Sequence, residues 1–148
     1  MVAADLMTAD PLTVTEGTSL QAAVESMRVA RVRHLPVVRG DRLVGLVSQR
    51  DVLAASLSCL ADVDATEREA LLAGIPVGDV MVRDVVTVGP KDDLEDAVNL
   101  LLVHKFDCLP VLDGDELVGI LTATDFMQLT RSLLAMTRRF SGAHEAAS

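Results

Sequence analysis

Two seven-residue stretches carry residue types suited to phosphate and nucleoside chemistry: Gly45-Leu46-Val47-Ser48-Gln49-Arg50-Asp51 and Gly119-Ile120-Leu121-Thr122-Ala123-Thr124-Asp125. In each, an apolar run hands over to a helical one, with a hydroxyl residue three positions before a carboxylate. A helix N-terminus exposes unpaired N–H groups and the positive end of its dipole, which suits phosphate, and an Asp there can accept both hydroxyls of a ribose. The same spacing is also a helix-capping pattern, in which the hydroxyl and the carboxylate satisfy backbone N–H groups. Taken as isolated motifs, both readings stay open.

The surroundings of the two motifs differ. Arg28, Arg31, Arg33 and His34 precede the first Leu-Pro pair, and Arg50 sits beside Asp51. An Arg fork clamps phosphate oxygens in two-point geometry. The second copy has His104, Lys105, Asp107 and Cys108 there, and Thr124 in place of Arg50. The expectation is therefore a first site that prefers phosphates and a second that is empty or takes a less charged ligand. The alternative for the basic stretch is a solvated helix end, where cations are favoured. No CxxC or HxxxH spacing appears, and no nucleophile, base and orienting residue form a recognisable set, so neither a metal site nor a catalytic residue is assigned.

The elements that must position these residues are written twice. Shifted by 74, residues 5–55 lie without a gap over residues 79–129, and about a third of the 51 pairs are identical, several times chance. Each copy opens with a short β-prone run, 11–15 and 85–89. A helix follows, with Leu20, Ala23, Val24 and Met27, or Leu94, Ala97, Val98 and Leu101, on one face. Two apolar runs then flank Arg39-Gly40-Asp41-Arg42 or Asp113-Gly114-Asp115-Glu116, a hairpin signal, and a last helix starts near Asp51 or Asp125. The unit is β-α-β-β-α and, at about 50 residues, too small to close a core confidently alone, so two copies should pack face to face. Asp64 and Gly74 bracket a helix in the connector, and the stripe Phe126, Leu129, Leu133, Met136, Phe140 prolongs the last helix until Ser141-Gly142 and a small-residue tail.

Composition removes whole classes. With 148 residues, 22 acidic against 13 basic side chains, net charge -9, no Trp or Tyr and 3 Phe, the chain is a poor partner for polynucleotides, which need cations and stacking rings. No apolar run approaches the ~20 residues that span a bilayer, and Met1 to Asp10 has no signal-peptide pattern. The 2 cysteines, Cys59 and Cys108, make no disulfide framework. These features predict a cytoplasmic protein.

The pairing of His34-Leu35-Pro36-Val37-Val38 with Gly45-x-x-Ser48-x-x-Asp51, and of Leu109-Pro110-Val111-Leu112 with Gly119-x-x-Thr122-x-x-Asp125, resembles the cystathionine β-synthase (CBS) domain family, whose members occur in tandem as Bateman modules. The resemblance covers residues 5–129. It implies an α/β (α+β) fold of two repeats packed as a pseudo-twofold pair, and adenosine-type ligands, such as AMP, ADP, ATP or S-adenosylmethionine, held in clefts between them. By that resemblance Asp51 and Asp125 hold ribose hydroxyls, Ser48 and Thr122 contact ribose or phosphate, and Leu46 and Ile120 wall the adenine. Borrowed residues complete each cleft: Met81, Val86 and Phe106 with Arg33, His34 and Arg50 at the first, Met7, Leu12 and Val32 with Cys108 at the second. For the borrowed aliphatic residues, ordinary core burial is an equally good account.

The expected organisation is repeat 1 over 5–57, a helical connector over 58–77, repeat 2 over 78–130, and a helix extension with a frayed tail over 131–148. The expected function is regulatory and not enzymatic, with no catalytic cofactor and with the adenosine derivative as regulatory ligand. The expected partners are a second copy and an unidentified regulated protein, with neither nucleic acid nor membrane. The competing reading is a ligand-free scaffold whose Ser/Thr-x-x-Asp motifs are only caps.

Overall fold

The structure, a computed structural model, describes residues 1–59 and 63–147. Connector positions 60–62 and the last residue of the expected tail lie outside the described residues.

The first repeat comprises α2 (Leu20–Ala30), β2 (His34–Arg39), β3 (Arg42–Ser48) and α3 (Gln49–Cys59), introduced by a short α1 (Ala3–Leu6) and β1 (Thr8–Ala9). The connector carries α4 (Ala65–Ala73) and a single 3-10 turn at Val77–Asp79. The second repeat follows with α5 (Leu94–His104), β4 (Cys108–Asp113), β5 (Glu116–Thr122) and α6 (Ala123–Ala147). Helix starts follow local chemistry. Ser19 Oγ accepts the Ala22 N–H, Asp64 accepts from Glu67, and Asp93 accepts from Glu95. α2 and α5 end on Arg31 and Lys105, at φ 56° and 57°, in left-handed conformations that turn the chain toward the hairpin.

Both expected hairpins form. His34 pairs with Ser48 through Arg39 with Arg42, Cys108 pairs with Thr122 through Asp113 with Glu116, and Gly40 and Gly114 occupy the positive-φ turn positions. The 11–15 and 85–89 runs do not become strands. Each makes one parallel bridge, Val14 to Val37 and Val88 to Val111, with the N–H of Val14 on the Pro36 carbonyl at 3.0 Å and that of Val88 on the Pro110 carbonyl at 3.1 Å. Pro36 and Pro110 have no N–H to extend a ladder, so the pairing stops there. The expected helix extension runs past its Ser141-Gly142 signal. α6 continues through Ser141 and Gly142 to Ala147, 25 residues in all.

The two halves are joined by exchange of their leading segments, which the sequence reading did not foresee. Val2 bridges Asp93, and the Ala3 N–H bonds the Asp92 carbonyl at 2.8 Å. Correspondingly Ser19 bridges Pro76, and the Val77 N–H bonds the Thr18 carbonyl at 2.7 Å. Ala3 is fully buried in the core of the second repeat, among Val88, Leu94, Ala97, Leu101, Leu109, Val111 and Leu121. Leu72, Val77 and Met81 are buried in the core of the first, among Leu20, Ala23, Met27, Leu35, Val37 and Val47. β1 then adds to β5 through Thr8–Ile120 and Ala9–Gly119, while Val82 bridges Leu46, and the hairpins touch through Arg42–Glu116 in one antiparallel sheet.

The motif glycines sit where the exchanged segments cross. A Cβ on Gly45 would stand 2.6 Å from Met81 Sδ and 2.9 Å from the Val82 carbonyl oxygen; one on Gly119 would meet Met7 Sδ and, at 3.0 Å, the Thr8 carbonyl oxygen. A methionine tip can swing away, but the backbone carbonyl is held by the bridge. Gly45→Ala and Gly119→Ala should each cost about 1–3 kcal/mol in urea unfolding. Gly17→Ala, where no atom lies within 4 Å of the added methyl, serves as the tolerated control.

Candidate functional site

Both Ser/Thr-x-x-Asp motifs form reciprocal caps. The Ser48 N–H donates to Asp51 Oδ2 at 2.9 Å and the Asp51 N–H to Ser48 Oγ at 3.1 Å. The Thr122 N–H and hydroxyl donate to Asp125 Oδ2 at 2.8 and 3.1 Å, and the Asp125 N–H donates to Thr122 Oγ1 at 3.3 Å. The motif is therefore structural in both copies. These bonds leave Asp125 Oδ1 without a bond to the motif, and the caps fix the direction in which each carboxylate points.

A cavity of about 400 Å³ opens between the repeats beside the second motif. It is lined by Ile120, Thr122, Ala123, Thr124 and Asp125 from one repeat, and by Thr8, Pro11, Leu12, Arg31, Val32, Arg33, His34 and Pro36 from the other half, with Asp107 at its edge. A second cavity, about 370 Å³, brings together Arg33, His34, Ser48, Gln49, Arg50, Leu53 and Asp107. Both volumes fall in the range of small-molecule sites.

The main chains at the two entrances are pinned alike. The Gln49 N–H, at the start of α3, bonds the Arg33 carbonyl at 2.8 Å, and the Ala123 N–H, at the start of α6, bonds the Asp107 carbonyl at 2.9 Å. Side chains just before each hairpin are thereby held beside a helix N-terminus.

Several expected site residues have other places. Met7 and Met81 pack beneath the motif glycines against the two cores, so they line neither cavity. Cys108, expected at the second site, is buried in β4, and burial with Asp107 and Asp125 nearby pushes its thiol up to about 12, so it stays protonated. Val86 packs against the second core, the Leu46 main chain bridges Val82, and Phe106 stacks on His104 with ring centroids 5.1 Å apart. These three, and Asp51, are outside the linings of both cavities.

The cations expected at the first cleft line both cavities. Arg31, Arg33 and His34 line the cavity that carries Thr122 and Asp125, so the second cleft is as well supplied with cations as the first. The cause is the exchange, which brings the end of α2 against the opposite repeat. Arg31 and Asp107 were missed as lining residues. A signal for Asp107 was present, because it occupies the position of Arg33 in the 74-residue register.

Among the described residues Arg28, Arg39, Arg42 and Arg83 form ion pairs, whereas Arg31, Arg33 and Arg50 form none. His34 is half-buried between them. Burial is the largest influence and holds its imidazole below the ordinary 6.5; Asp107 and Asp51 oppose the shift, while Arg33 and Arg50 reinforce it.

The family model for the CBS domain matches residues 2–58 and 77–131. The chain belongs to the CBS domain family. The chain is 33% identical over 119 residues to inosine-5'-monophosphate dehydrogenase of Thermoplasma acidophilum, covering 80% of this chain and 21% of that enzyme. Among solved structures it resembles a putative acetoin utilization protein, AcuB, from Vibrio cholerae, at 34% identity and TM-score 0.77, covering 94% of this chain and 96% of that one. CBSX2, a CBS-pair protein of Arabidopsis thaliana solved in complex with AMP, is 33% identical with TM-score 0.74, covering 89% and 97%. This CBS chain spans between 21% and 46% of the length of four curated relatives it matches. No helix among its described residues is long and apolar enough to cross a membrane.

The His34 shift fixes a sign for acid stability. Above pH 6.5 the imidazole is neutral in folded and unfolded chains and adds no pH dependence. As pH falls through 6.5 the unfolded chain takes up a proton that the folded chain refuses, so stability is lost until the folded imidazole also protonates. The urea midpoint should therefore drop between pH 7.5 and 5.5, and His34→Gln should flatten that drop. An unchanged slope in His34→Gln would contradict the assignment.

Proposed function

We propose that this chain is a regulatory module that binds an adenosine nucleotide or derivative, of the AMP, ADP, ATP or S-adenosylmethionine type, between its repeats and catalyses no reaction itself. The observation that carries the reading is the cavity of about 400 Å³, where the Thr122–Asp125 pair of one repeat faces Arg31, Arg33 and His34 of the other half. In this reading Asp125 accepts ribose hydroxyls, Thr122 and the start of α6 face ribose or phosphate, and Leu12, Val32 and Ile120 wall the base. Ser48, Arg50, Arg33 and His34 offer phosphate donors in the smaller cavity. That CBSX2 is solved with AMP supports the ligand class. A ligand touching both halves acts as a signal only if it binds two arrangements of the halves with different affinity, which then changes the surface offered to a regulated protein.

A scaffold reading in which the motifs only cap helices is favoured by the reciprocal bonds themselves. Asp125→Ala separates the two. Loss of the cap predicts about 1 kcal/mol of lost stability under either reading. The nucleotide reading adds at least a tenfold loss of AMP affinity by calorimetry, and affinity unchanged by Asp125→Ala would leave the scaffold reading standing. Mass spectrometry of small molecules released on denaturation identifies the native ligand, which the scarcity of aromatic residues makes easy to see spectroscopically.

The second copy is proposed to sit on α6, where Leu133, Leu134, Met136 and Phe140 are all more than half exposed. Such a stripe on one helix exceeds scattered surface apolar residues, and a second α6 matches its chemistry. Light scattering at micromolar concentration should give twice the chain mass. Leu133→Glu combined with Phe140→Glu should give the single-chain mass with helicity retained; a dimer persisting in that variant would move the interface elsewhere.

A further inference from the structure

The two cavities are not independent, because Arg33, His34 and Asp107 line both of them. We propose that these three residues form one shared wall that can commit to only one phosphate at a time, so that a phosphate-bearing nucleotide in the larger cavity refuses a second phosphate to the smaller one. The inference rests on the adenosine-binding reading and adds to it the stoichiometry and the charge rule.

Arg33 and Asp107 are counterparts in the 74-residue register, and their carbonyls make equivalent bonds to the first N–H groups of α3 and α6. A faithful duplication would place like side chains there. Instead the wall carries one guanidinium and one carboxylate, and neither forms an ion pair among the described residues. A phosphate in the larger cavity can take Arg31, Arg33 and His34. Once the Arg33 fork is committed in two-point geometry, its donors are no longer available across the wall. The smaller cavity is then left with Arg50 facing the Asp107 carboxylate and, beyond it, the first phosphate. Two phosphate dianions bordered by the same three residues repel each other, and the lost Arg33 contact adds to that.

His34 strengthens the exclusion. It lies within the influence of Asp107, Asp51, Arg33 and Arg50, and in its neutral form it offers one N–H donor to whichever cleft is filled. Ligands without phosphate do not draw on the wall, so adenosine in the larger cavity leaves it free for a phosphate.

Calorimetry with AMP and with adenosine tests this on the intact chain. The expected result is one AMP per chain, with any second event at least tenfold weaker, and inorganic phosphate that binds the adenosine-loaded chain at least tenfold more tightly than the AMP-loaded one. Asp107→Asn should strengthen the second AMP event at least fivefold, and raising ionic strength should narrow the gap between the two events in the unaltered chain without any substitution. Arg33→Ala should weaken the first AMP about tenfold while adenosine binding stays put. Two equal, independent AMP sites in the unaltered chain overturn the shared wall and leave the adenosine reading intact, as does inorganic phosphate that binds the AMP-loaded and adenosine-loaded chains equally. No binding of either ligand overturns both.

Discussion

The reciprocal exchange of leading segments is the constraint on which everything else depends. A repeat of about 50 residues has too little interior to close its own core. Here each interior is finished by chain from outside it: Ala3 in the second repeat, and Leu72, Val77 and Met81 in the first. Burial of Leu72, Val77 and Met81 is worth roughly 1.5–3 kcal/mol each. That is comparable to the whole net stability of a small domain. The halves are therefore thermodynamically one unit, although they are two units in sequence.

The exchange also builds the clefts. Because β1 adds to β5 and Val82 bridges Leu46, the end of each leading segment is laid beside the opposite motif. Thr8, Pro11 and Leu12 arrive in this way at the cavity of Thr122 and Asp125. The glycine of each motif is needed for the crossing, since only a residue without a side chain lets the segment pass at backbone distance. The hydroxyl and acid of the motif cap the next helix. One short stretch thus carries a crossing, a cap and a cleft edge, and the capping reading and the binding reading describe the same atoms seen from two sides.

Legibility followed the range of the interactions. The hairpins, the capped connector helix and the buried faces of α2 and α5 were readable because turn residues, caps and apolar spacing act over a few residues. The short β-prone runs misled, because Pro36 and Pro110, which end their ladders, lie in another part of the chain. At the tail, α6 runs on past Ser141 and Gly142, which weaken a helix without ending it. Among site residues, Ser48, Arg50, Thr122 and Asp125 were found by motif and do border cavities, whereas Met7, Met81 and Cys108 could have faced either core or cleft until packing decided.

By itself the sequence determined the duplication, the element types, the capped motifs and the family, because these rest on local spacing and on residue identity repeated at a fixed interval. Only the tertiary structure decided which cations face which carboxylate. Arg31 and Arg33 stand far from Asp125 in sequence, and their meeting depends on how the leading segments cross between repeats, a pairing that no local pattern encodes. The same crossing turned two seemingly separate sites into neighbours across one wall, where the opposite charges at positions 33 and 107 acquire their meaning.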